Sequence, residues 1–354
     1  MSGNTFGRIF RLTTYGESHG SGLGGVVDGC PSGLPLNESV LQAALDKRRP
    51  GSGNPASTTR REPDAAVIHS GVFEGLTTGT PIAFHIANTD RRSADYDALK
   101  QVYRPGHADF TFDAKFGLRD HRGGGRASGR ETVARVAGGA IAEALLARGG
   151  IRLFACAAAL GGIPAPLTDV AGASDRPFFA PDEGVVPFWE DAVKRAKSRG
   201  DTLGGLVRVE AHGVPAGLGE PVFDKLDARF AYAFMGVGAV KGVEVGGGFA
   251  SAASMGALNN DPMDPATPGG FISNHAGGIL GGISTGQPIV LTAAVKPIAS
   301  IATAQRTMTR DGEAVTIAVG GRHDISAIPR IVPVLKAMAA LVLADALLLQ
   351  KRMG

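Results

Sequence analysis

Residues 104–140 hold the highest density of side chains that could do chemistry. The stretch contains His107 and His121, together with six arginines, at positions 104, 119, 122, 126, 130 and 135. Three consecutive glycines, 123–125, then lead into the sequence Arg126-Ala127-Ser128-Gly129-Arg130-Glu131. The planar guanidinium group binds a phosphate through two parallel hydrogen bonds, each roughly twice as strong as a neutral one. The composition therefore predicts that this stretch binds an anion.

The same stretch predicts a helix whose beginning would face that anion. Ser128 with Glu131 three positions later is a capping-box signature, and apolar residues follow at helical spacing from position 133 to position 145. Gly149 and Gly150 then predict the end of the helix. A helix start offers free backbone N–H groups and a partial positive charge. Any one arginine alone could lie on a solvated surface, but their convergence on a helix start favours a ligand that carries phosphate.

A second basic segment, residues 47–63, is polar and contains glycine and proline. It is either a plain surface loop or a mobile flap that carries several arginines toward an anion. These arginines are Arg48, Arg49, Arg60 and Arg61. We favour the flap.

The pentapeptide Gly16-Glu17-Ser18-His19-Gly20 matches G-x-S-x-G, the nucleophile elbow of α/β-hydrolases. A serine esterase acting through Ser18 is therefore an alternative function, and it predicts that Ser18→Ala alone abolishes activity on esters. The context disfavours it, because the residues after Gly20 are poor helix formers and the elbow precedes any sheet that it could cap. The glycines at 20, 22 and 24 do not form a dinucleotide fingerprint either, since no helix is predicted to follow them.

Three separated histidines lie beside arginines or glycines: His19, His107 and His323. A single histidine is usually a hydrogen-bonded polar residue with no further role. Because imidazole titrates near neutral pH, it can also deliver a proton to a departing phosphate, a step typically worth roughly 10²–10⁴-fold in rate. The sequence has no metal-ligand spacing. The residues therefore predict acid-assisted chemistry on a phosphate compound, with no metal.

Length and composition leave room for one large domain or two ordinary ones in 354 residues. The net charge of +3 makes nucleic acid an unexpected partner, and two cysteines, Cys30 and Cys156, are too few for a disulfide framework or a zinc site. We expect both to be buried thiols in a reducing compartment. The N-terminus lacks the apolar segment of a secretion signal, and Lys336 and Asp345 interrupt the last apolar helix. The sequence thus predicts a soluble, cytoplasmic protein that does not enter a membrane.

The elements that must position these residues predict an α+β fold. Half-polar alternation at period two indicates antiparallel sheets, and it occurs in residues 207–212, 287–295 and 315–319, with a further strand over 6–15. Helical patterns cover residues 37–48, 129–148, 188–199, 222–235 and 327–351. Residues 161–187 are rich in proline and are interpreted as a peripheral excursion. Residues 254–270 form a long loop and a candidate lid.

An internal repeat divides the chain into two related parts. Residues 71–82 realign with residues 278–289, with the same residue at six of the twelve positions. The long spacing excludes a solenoid, so we predict two halves, roughly 1–150 and 205–354, packed about a pseudo-twofold axis, with an excursion near 161–203. Chance similarity in a glycine-rich chain is the alternative.

Six blocks stand out along the chain: Gly16-Glu-Ser-His-Gly20, Arg104-Pro-Gly-His-Ala-Asp109, Gly125-Arg-Ala-Ser-Gly-Arg-Glu-Thr132, Ala239-Val-Lys-Gly-Val-Glu244, Ser273-Asn-His-Ala-Gly-Gly-Ile-Leu-Gly-Gly-Ile283 and Gly321-Arg-His-Asp324. They closely resemble the sequence blocks of the chorismate synthase family, in the family's order and over essentially the whole chain. Each block is long, so the resemblance is specific.

The resemblance implies one chorismate synthase-like domain over residues 1–354. Its fold would be a β-α-β sandwich with antiparallel sheets flanking a central helical layer, assembled as a homotetramer. Its activity would be that of a carbon–oxygen lyase of the shikimate pathway, in aromatic amino acid biosynthesis. The implied reaction is the anti-1,4-elimination of phosphate from 5-enolpyruvylshikimate 3-phosphate to give chorismate, with reduced FMN and no net redox change. NADPH would be the indirect reductant, through an external flavin reductase.

By this resemblance the catalytic residues are His19, His107 and Asp324. His19 would protonate the departing phosphate and His107 the reduced flavin, while Asp324, beside the flavin N5, would assist removal of the ring proton. The cofactor contacts would be Arg126, Ala127, Ser128, Gly238, Ala239, Gly278, Lys296, Pro297, Ile298, Ala299, Ser300 and Arg322. The substrate's phosphate and carboxylates would be held by Arg48, Arg49, Arg104 and Arg130.

Some positions depart from the family pattern. The family's lysine-proline-threonine-serine-serine flavin block reads Lys296-Pro-Ile-Ala-Ser300 and so loses two hydroxyls, and a common asparagine is Gly238. The departures would weaken FMN binding without removing a catalytic group. A flavin- or phosphate-binding protein without catalysis is the remaining alternative, and it predicts FMN retention with no release of phosphate.

Overall fold

The computed structural model describes residues 3–49, 56, 62–89, 99–267, 269–320 and 323–353. In chain order its strands and helices are β1 (Thr5–Phe6), β2 (Arg11–Gly16), β3 (Gly22–Asp28), α1 (Glu38–Arg48), β4 (Ala66–Ile68), β5 (Val72–Phe73), β6 (Leu76–Thr77), β7 (Ile82–Ala87), α2 (Asp109–Phe116), α3 (Thr132–Ala147), β8 (Arg152–Leu160), β9 (Ile163–Pro164), α4 (Val186–Ser198), β10 (Gly205–His212), α5 (Leu226–Met235), β11 (Val240–Val245), α6 (Gly256–Asn259), β12 (Ile279–Leu280), β13 (Ile283–Ser284), β14 (Ile289–Val295), β15 (Gln305–Met308), β16 (Ala314–Ile317) and α7 (Ile328–Met353).

Two five-stranded antiparallel sheets form the frame. One has the strand order β1-β2-β3-β7-β4 and the other β11-β14-β10-β8-β9. In β10, Val207, Val209 and Ala211 are buried while the residues between them are partly exposed. This is the alternation expected from the sequence, and the predicted α+β class with antiparallel sheets is confirmed.

Helices α3 and α7 pack against each other and against different sheets. Helix α3 contacts mainly β2 and β3 of the first sheet, and also β8, whereas α7 contacts β8 and β10 of the second sheet. The two helices approach most closely at Gly139, where an added Cβ would lie 2.3 Å from the Cβ of Ala337. Glycine inside a helix costs about 1 kcal/mol relative to alanine. At Gly139 this cost is offset by the close packing of the two helices.

Helix α7 is long and apolar enough to cross a membrane by length and composition, which corrects the expectation drawn from Lys336 and Asp345. In the fold, however, 83% of its most apolar window is buried inside the protein. Lys336 pairs with Glu143 of α3 at 2.7 Å. A helix that is apolar on most sides and covered by its own protein is a core helix.

Asp345 can be fully buried in α7 because its carboxylate has four donors. Its Oδ1 accepts the N–H groups of Ile9 at 2.7 Å and Phe10 at 3.0 Å. Its Oδ2 accepts the Arg8 N–H at 2.9 Å and pairs with the guanidinium of Arg229 in α5. Buried charges persist only when they are paired and hydrogen-bonded. Asp345 therefore ties the turn before β2 to α5 and α7.

The repeated segments, residues 71–82 and 278–289, have the same local structure. Each forms a short hairpin, β5–β6 or β12–β13, followed by a strand of a large sheet, β7 or β14. Three aligned glycine pairs have left-handed φ values in both segments: Gly71 and Gly278, Gly75 and Gly282, and Gly79 and Gly286. These glycines supply turns that a side chain would strain.

The hairpins are also anchored in the same way. Thr77 and Ser284 occupy aligned positions, and each hydroxyl donates to a proline carbonyl and accepts a leucine N–H. The partners are Pro31 at 2.6 Å and Leu34 at 3.0 Å for Thr77, and Pro215 at 2.6 Å and Leu218 at 2.9 Å for Ser284. A chance sequence match would not be expected to reproduce these contacts.

Element boundaries differ from the sequence predictions by a few residues. Helix α1 follows Asn37, whose Oδ1 accepts the Ser39 N–H at 3.1 Å, so the predicted cap is confirmed. Strand β2 begins at position 11 rather than 6, because Asp345 binds the N–H groups of residues 8–10. Helix α5 begins at position 226 rather than 222. The excursion near 161–203 contributes Phe178 and Trp189 to the main core.

Candidate active site

A cavity of roughly 690 Å³ opens where five chain segments meet. They are the loop before α2, the turns before α3, the α5–β11 connection, the segment after β14 and the beginning of α7. Cavities of about 300–1,000 Å³ are typical of small-molecule and cofactor sites. The lysine, arginine and acidic side chains that line it are Arg48, Glu62, Arg104, Arg126, Arg130, Glu131, Arg135, Lys296, Asp324 and Arg330. This excess of cations favours an anionic ligand.

Two short 3-10 turns, separated by Ser128, lead into α3 at one wall of the cavity. The Ser128 hydroxyl accepts the Arg130 N–H at 3.3 Å and so caps the second turn. The α-helix itself begins only at Thr132, and the Glu131 carboxylate pairs with Arg135 at 3.0 Å. The predicted capping box is therefore wrong in its second half, because Glu131 has a stronger partner. The helix start nevertheless lies at the cavity, as predicted.

Arg126, a predicted flavin contact, crosses from these turns to β2. Its Nη2 donates to Thr14 Oγ1 at 2.7 Å and to Asn4 Oδ1 at 3.3 Å, and its Nη1 donates to the Gly16 carbonyl at 3.3 Å. These bonds fix the orientation of the guanidinium group along the cavity wall.

Arg48 and Arg130, predicted to hold anionic groups of the substrate, share one buried carboxylate. Asp64 is fully buried and pairs with Arg48 at 3.3 Å and with Arg130 at 2.6 Å. Glu62 also pairs with Arg130, and Arg48 donates to the Gly129 carbonyl at 2.9 Å. Both guanidinium groups line the cavity in fixed positions.

The surroundings of Arg48 are positive. Burial and the neighbouring cations Arg330 and Arg130 lower the pKa of Arg48 to about 9, against the opposing effect of Asp64 and Glu62. A nearby anion favours the charged form of such a group. A ligand phosphate or carboxylate bound here would therefore be stabilised.

Asp324 lines the same cavity, and Arg330 of α7 donates to its Oδ2 at 2.8 Å. Burial would lower the pKa of Arg330, but Asp324, Glu62 and Asp64 outweigh burial and raise it. The sequence reasoning missed Arg330. Its place among the apolar residues of α7 gave no sign that the fold would bring it to Asp324.

His107 lies at the cavity wall beside a buried carboxylate. Its Nδ1 is 2.9 Å from Oδ1 of Asp109. Arg104 binds the same carboxylate through Nε and Nη2, both at 2.8 Å. Burial would raise the pKa of Asp109, but hydrogen bonds from Arg104 and His107 outweigh it and hold that pKa well below its usual range. Arg104 thus lines the cavity while part of its guanidinium is committed to Asp109.

Arg119 joins the group formed by Arg104, His107 and Asp109. It pairs with Asp109 at 3.3 Å and with Asp113, one turn further along α2, at 3.0 Å. It also donates to backbone carbonyls of residues 99–102, and Asp113 pairs with Arg310 at 3.3 Å. The loop that carries His107 is therefore anchored to α2 by ion pairs.

His19 is buried behind the glycine turn of the cavity. An added Cβ at Gly123, which lines the cavity, would lie 2.6 Å from the His19 Cδ2 and 2.7 Å from its Nε2. Glycine at this position, with φ of +67°, lets the imidazole edge lie directly against the turn. His19, His107 and Asp324 therefore surround or adjoin one cavity, although they are far apart in the sequence.

The predicted flavin contacts in residues 238–239 and 296–300 lie side by side along the cavity, together with Ala127 and Ser128. The Lys296 N–H donates to the Ala239 carbonyl at 2.9 Å, and its Nζ donates to the Gly106 carbonyl at 2.7 Å. At Gly238 an added Cβ would meet no heavy atom within 4 Å. A larger residue at this position would have open space.

Two predicted site residues, Gly278 and Arg49, do not join this group. Gly278 lies against Pro288, at the opposite end of β14 from Lys296, and a strand rise of about 3.3 Å per residue separates these ends by about 26 Å. Arg49 follows α1 and pairs with Asp46 at 3.4 Å, outside the lining of the cavity. Arg322 lies outside the described residues, as do Arg60 and Arg61 and most of the proposed flap.

The nucleophile elbow has the wrong context for a hydrolase. The Ser18 hydroxyl donates to the Arg122 carbonyl at 3.4 Å. The residues after Gly20 form β3, a strand of an antiparallel sheet, whereas a hydrolase elbow leads into a helix. The esterase alternative is unsupported.

The fold and this cavity define an enzyme that acts on an anionic small molecule. Arginine side chains fixed by buried carboxylates line one region, His107, His323 and Asp324 also line the cavity, and His19 adjoins it. This combination suits binding of a phosphate or carboxylate compound with proton transfer.

Comparisons with known proteins agree with this class. The chorismate synthase family model matches residues 10–348. The chain is 69% identical to the chorismate synthase of Nitratidesulfovibrio vulgaris strain Hildenborough, over 100% of this chain and 99% of the relative. It is 66% identical to that of Oleidesulfovibrio alaskensis, over 100% and 99%. A crystal structure of chorismate synthase has a TM-score of 0.77 and 32% identity, covering 98% of this chain and 93% of the other.

The chain belongs to the chorismate synthase family. Its function is that of the family, a lyase of the shikimate pathway and of aromatic amino acid biosynthesis that depends on flavin.

Proposed function

We propose that the chain converts 5-enolpyruvylshikimate 3-phosphate to chorismate by anti-1,4-elimination of phosphate, in the cavity described above. The observation that carries the proposal is the meeting of Arg48, Arg130, His107 and Asp324 at one cavity. The substrate has one phosphate and two carboxylates, so it requires several cations in fixed positions. The buried partners of the arginines keep their side chains in place before the substrate binds.

Substrate binding is assigned to Arg48, Arg130 and Arg104, and by the resemblance also to Arg49. The low pKa of Arg48, caused by burial and the neighbouring arginines, supports an anion at this point. A charged hydrogen bond of this kind contributes about 1.5–3 kcal/mol. Removing one guanidinium should therefore raise KM strongly.

The residues present fit a reduced flavin mononucleotide. The cavity is large enough for a cofactor beside a small substrate, and its wall combines apolar groups (Val237, Ile298, Ile331 and Val334) with Arg126, Lys296 and the turns before α3. We assign cofactor binding to Arg126, Ala127, Ser128, Gly238, Ala239 and residues 296–300, and by the resemblance also to Arg322, whereas Gly278 does not reach this cavity within the chain. When bound, reduced FMN would supply transient electron donation to the allylic system of the substrate.

The chain's own residues would bind, orient and move protons. His19 protonates the departing phosphate, and Asp324, held by Arg330 at 2.8 Å, assists removal of the ring proton. His107 holds a proton at its ring nitrogen for the reduced cofactor. Each step of this kind is typically worth roughly 10²–10⁴-fold in rate.

The finer architecture proposed is a β-α-β sandwich with a pseudo-twofold relation between its halves. The packing of α3 and α7 on different sheets, and the matching hairpins anchored by Thr77 and Ser284, support it. A homotetramer is proposed as well. Exposed large apolar side chains between residues 249 and 272, such as Phe249, Met255 and Met263, suit a surface that packs against another copy.

The reductant is proposed to be external, with NADPH acting through a separate flavin reductase in the cytoplasm. The test combines purified protein, 5-enolpyruvylshikimate 3-phosphate and chemically reduced FMN under anaerobic conditions, and follows phosphate and chorismate together. Stoichiometric release of both is expected. Binding of FMN without release of either product would instead favour a flavin-binding protein without catalysis.

A further inference from the structure

Asp109 touches His107 from the side away from the cavity. We propose that Asp109 is the positioning residue of His107: it keeps Nδ1 protonated and so leaves Nε2 as the nitrogen that exchanges a proton in the cavity. The inference rests on the proposed function, because it refines the role given there to His107.

The distances determine which tautomer His107 adopts. Its Nδ1 is 2.9 Å from Oδ1 of Asp109 and 3.1 Å from Nη2 of Arg104. Without a proton on Nδ1, its lone pair would face a carboxylate oxygen at hydrogen-bond distance, which is repulsive. With the proton there, Asp109 accepts it, while Arg104 donates to the same oxygen at 2.8 Å. Arg104 can only donate, so its contact with Nδ1 is a hydrogen bond only in the other tautomer, which is protonated at Nε2. The fixed negative charge of Asp109 against Nδ1 is the feature that favours a proton there instead.

The opposite edge of the ring lies against the glycine turn. An added Cβ at Gly124 would lie 3.0 Å from Cε1 and 3.3 Å from Nε2 of His107. Gly124 has a φ of +89°, and the next residue back, Gly123, lines the cavity. The turn therefore leaves room for the edge that carries Nε2, while Asp109 occupies the other edge.

Asp109 can stay ionised beside a protonated Nδ1 of His107. Its side chain is 2% exposed, and Arg104 and Arg119 both pair with it. The same hydrogen bonds keep its pKa well below the usual range against burial. Asp109 thus remains a carboxylate while His107 exchanges a proton at Nε2.

The direct test is ¹⁵N NMR of protein labelled at histidine, because the two ring nitrogens have different shifts in each tautomer. The signals of His107 are those lost in His107→Ala. In the neutral ring we expect Nδ1 to be protonated, with a shift toward the other tautomer in Asp109→Asn. A wild-type spectrum with neutral His107 protonated at Nε2 overturns the proposal, and this measurement requires no variant of Asp109 to fold.

Kinetics supply a matched control on the same helix. Asp113 is also buried and also bound to Arg119, but the contacts found for it do not include His107. Asp109→Asn should lower kcat by roughly 10- to 100-fold, a part of the rate that proton transfer contributes, with little change in KM. Asp113→Asn should stay within about threefold of wild type. Equal losses in both variants would assign the effect to the Arg119 ion pairs and overturn the proposal.

A double variant separates this inference from the proposed function. In the His107→Ala background, Asp109→Asn should cause no further loss of kcat, because the two residues act through one group. A further loss of the same size contradicts the proposal. If His107→Ala retains a near-normal rate, the role proposed for His107 fails, and the NMR measurement still decides whether Asp109 sets its tautomer.

Discussion

Asp109 and Asp345 are both buried carboxylates paired with arginine, yet they serve different regions of the molecule. Asp345 accepts backbone N–H groups from residues 8–10 and the guanidinium of Arg229, and it lies between core elements. Asp109 accepts from Arg104, and its Oδ1 lies 2.9 Å from Nδ1 of His107, a residue that lines the cavity. Burial with an arginine partner is therefore not evidence of function. Asp109 differs from Asp345 in that the oxygen bound by Arg104 also contacts His107, a titratable residue that lines the cavity.

The comparison also predicts which property, stability or rate, decreases when each carboxylate is removed. Removing Asp345 would leave three backbone donors and a guanidinium without their acceptor, so the cost would fall on folding. Removing the charge of Asp109 would change the protonation of His107, so part of the cost would fall on the rate. Stability and turnover can be measured separately, and the following variants use that difference.

The largest expected effect is on stability, in Asp345→Ala. Breaking a buried charge pair typically costs about 3–5 kcal/mol, so the free energy of unfolding in urea should fall by that amount. The rate per folded molecule should be unchanged. Lys336→Ala, which removes a partly exposed pair on the same helix, is the control and should cost less than about 1 kcal/mol. A normal stability for Asp345→Ala would contradict the structural role.

His107→Ala should lower single turnover with pre-reduced FMN by at least roughly 10²-fold and leave the unfolding transition nearly unchanged, because it removes a proton donor at the cavity wall. His212→Ala is the matched control. His212 also pairs with a carboxylate, Glu210 at 3.0 Å, but on the second sheet away from the cavity. Turnover of the control should equal that of wild type, and a similar loss in both variants would refute the assignment of His107.

His19→Ala should also lower turnover by at least roughly 10²-fold, since the departing phosphate would lose its proton donor. The same single-turnover assay measures it. A normal rate would remove His19 from the mechanism and would leave the His107 assignment standing.

Arg126→Ala should weaken FMN binding by roughly 10- to 100-fold, the equivalent of one charged hydrogen bond of about 1.5–3 kcal/mol. The measurement is a fluorescence titration of FMN. Lys241→Ala, on an exposed position of β11, is the control and should bind FMN like wild type. If Arg126→Ala bound FMN with unchanged affinity, Arg126 would have a structural role only, through its hydrogen bonds to β2.

The smallest effect expected is the dependence of stability on pH at Asp109. Its pKa in the folded protein lies below the value of about 3.9 for the unfolded chain. The ionised carboxylate therefore stabilises the fold above that value, and the contribution is lost as pH falls below it toward the folded pKa. The difference in unfolding free energy between wild type and Asp109→Asn should shrink below about pH 4. A difference independent of pH would contradict the ion pairs.

Much of the fold was predictable because local patterns dominate it. The cap at Asn37, the alternation in β10 and the glycines that end α3 each act through neighbouring residues, and each was read correctly. The start of β2 was misplaced, because Asp345, more than 330 positions away, binds the turn before it. Strand β11 was not predicted as a strand. Its edge position and Gly242 weaken the alternating pattern.

The candidate site was predictable as a set of residue types and motifs, but not as a set of contacts. Arg48, Arg104, Arg126 and Arg130 were identified from their clustering and from the resemblance. Their partners Asp64, Glu62 and Asp109 were not, although Asp109 stands in the same motif as His107. Because carboxylates are common on protein surfaces, nothing in the sequence indicates that these three pair with the arginines.

The sequence by itself determined the family, the α+β class, the glycine turns and the supply of arginines and histidines near an anion. These depend on residue type and on spacing within one segment. Only the tertiary structure decided that Arg330 reaches Asp324, that two arginines share Asp64, and that Asp109 contacts His107. Those contacts join segments distant in sequence or depend on side-chain orientation, and their burial makes the pairing of each charge obligatory.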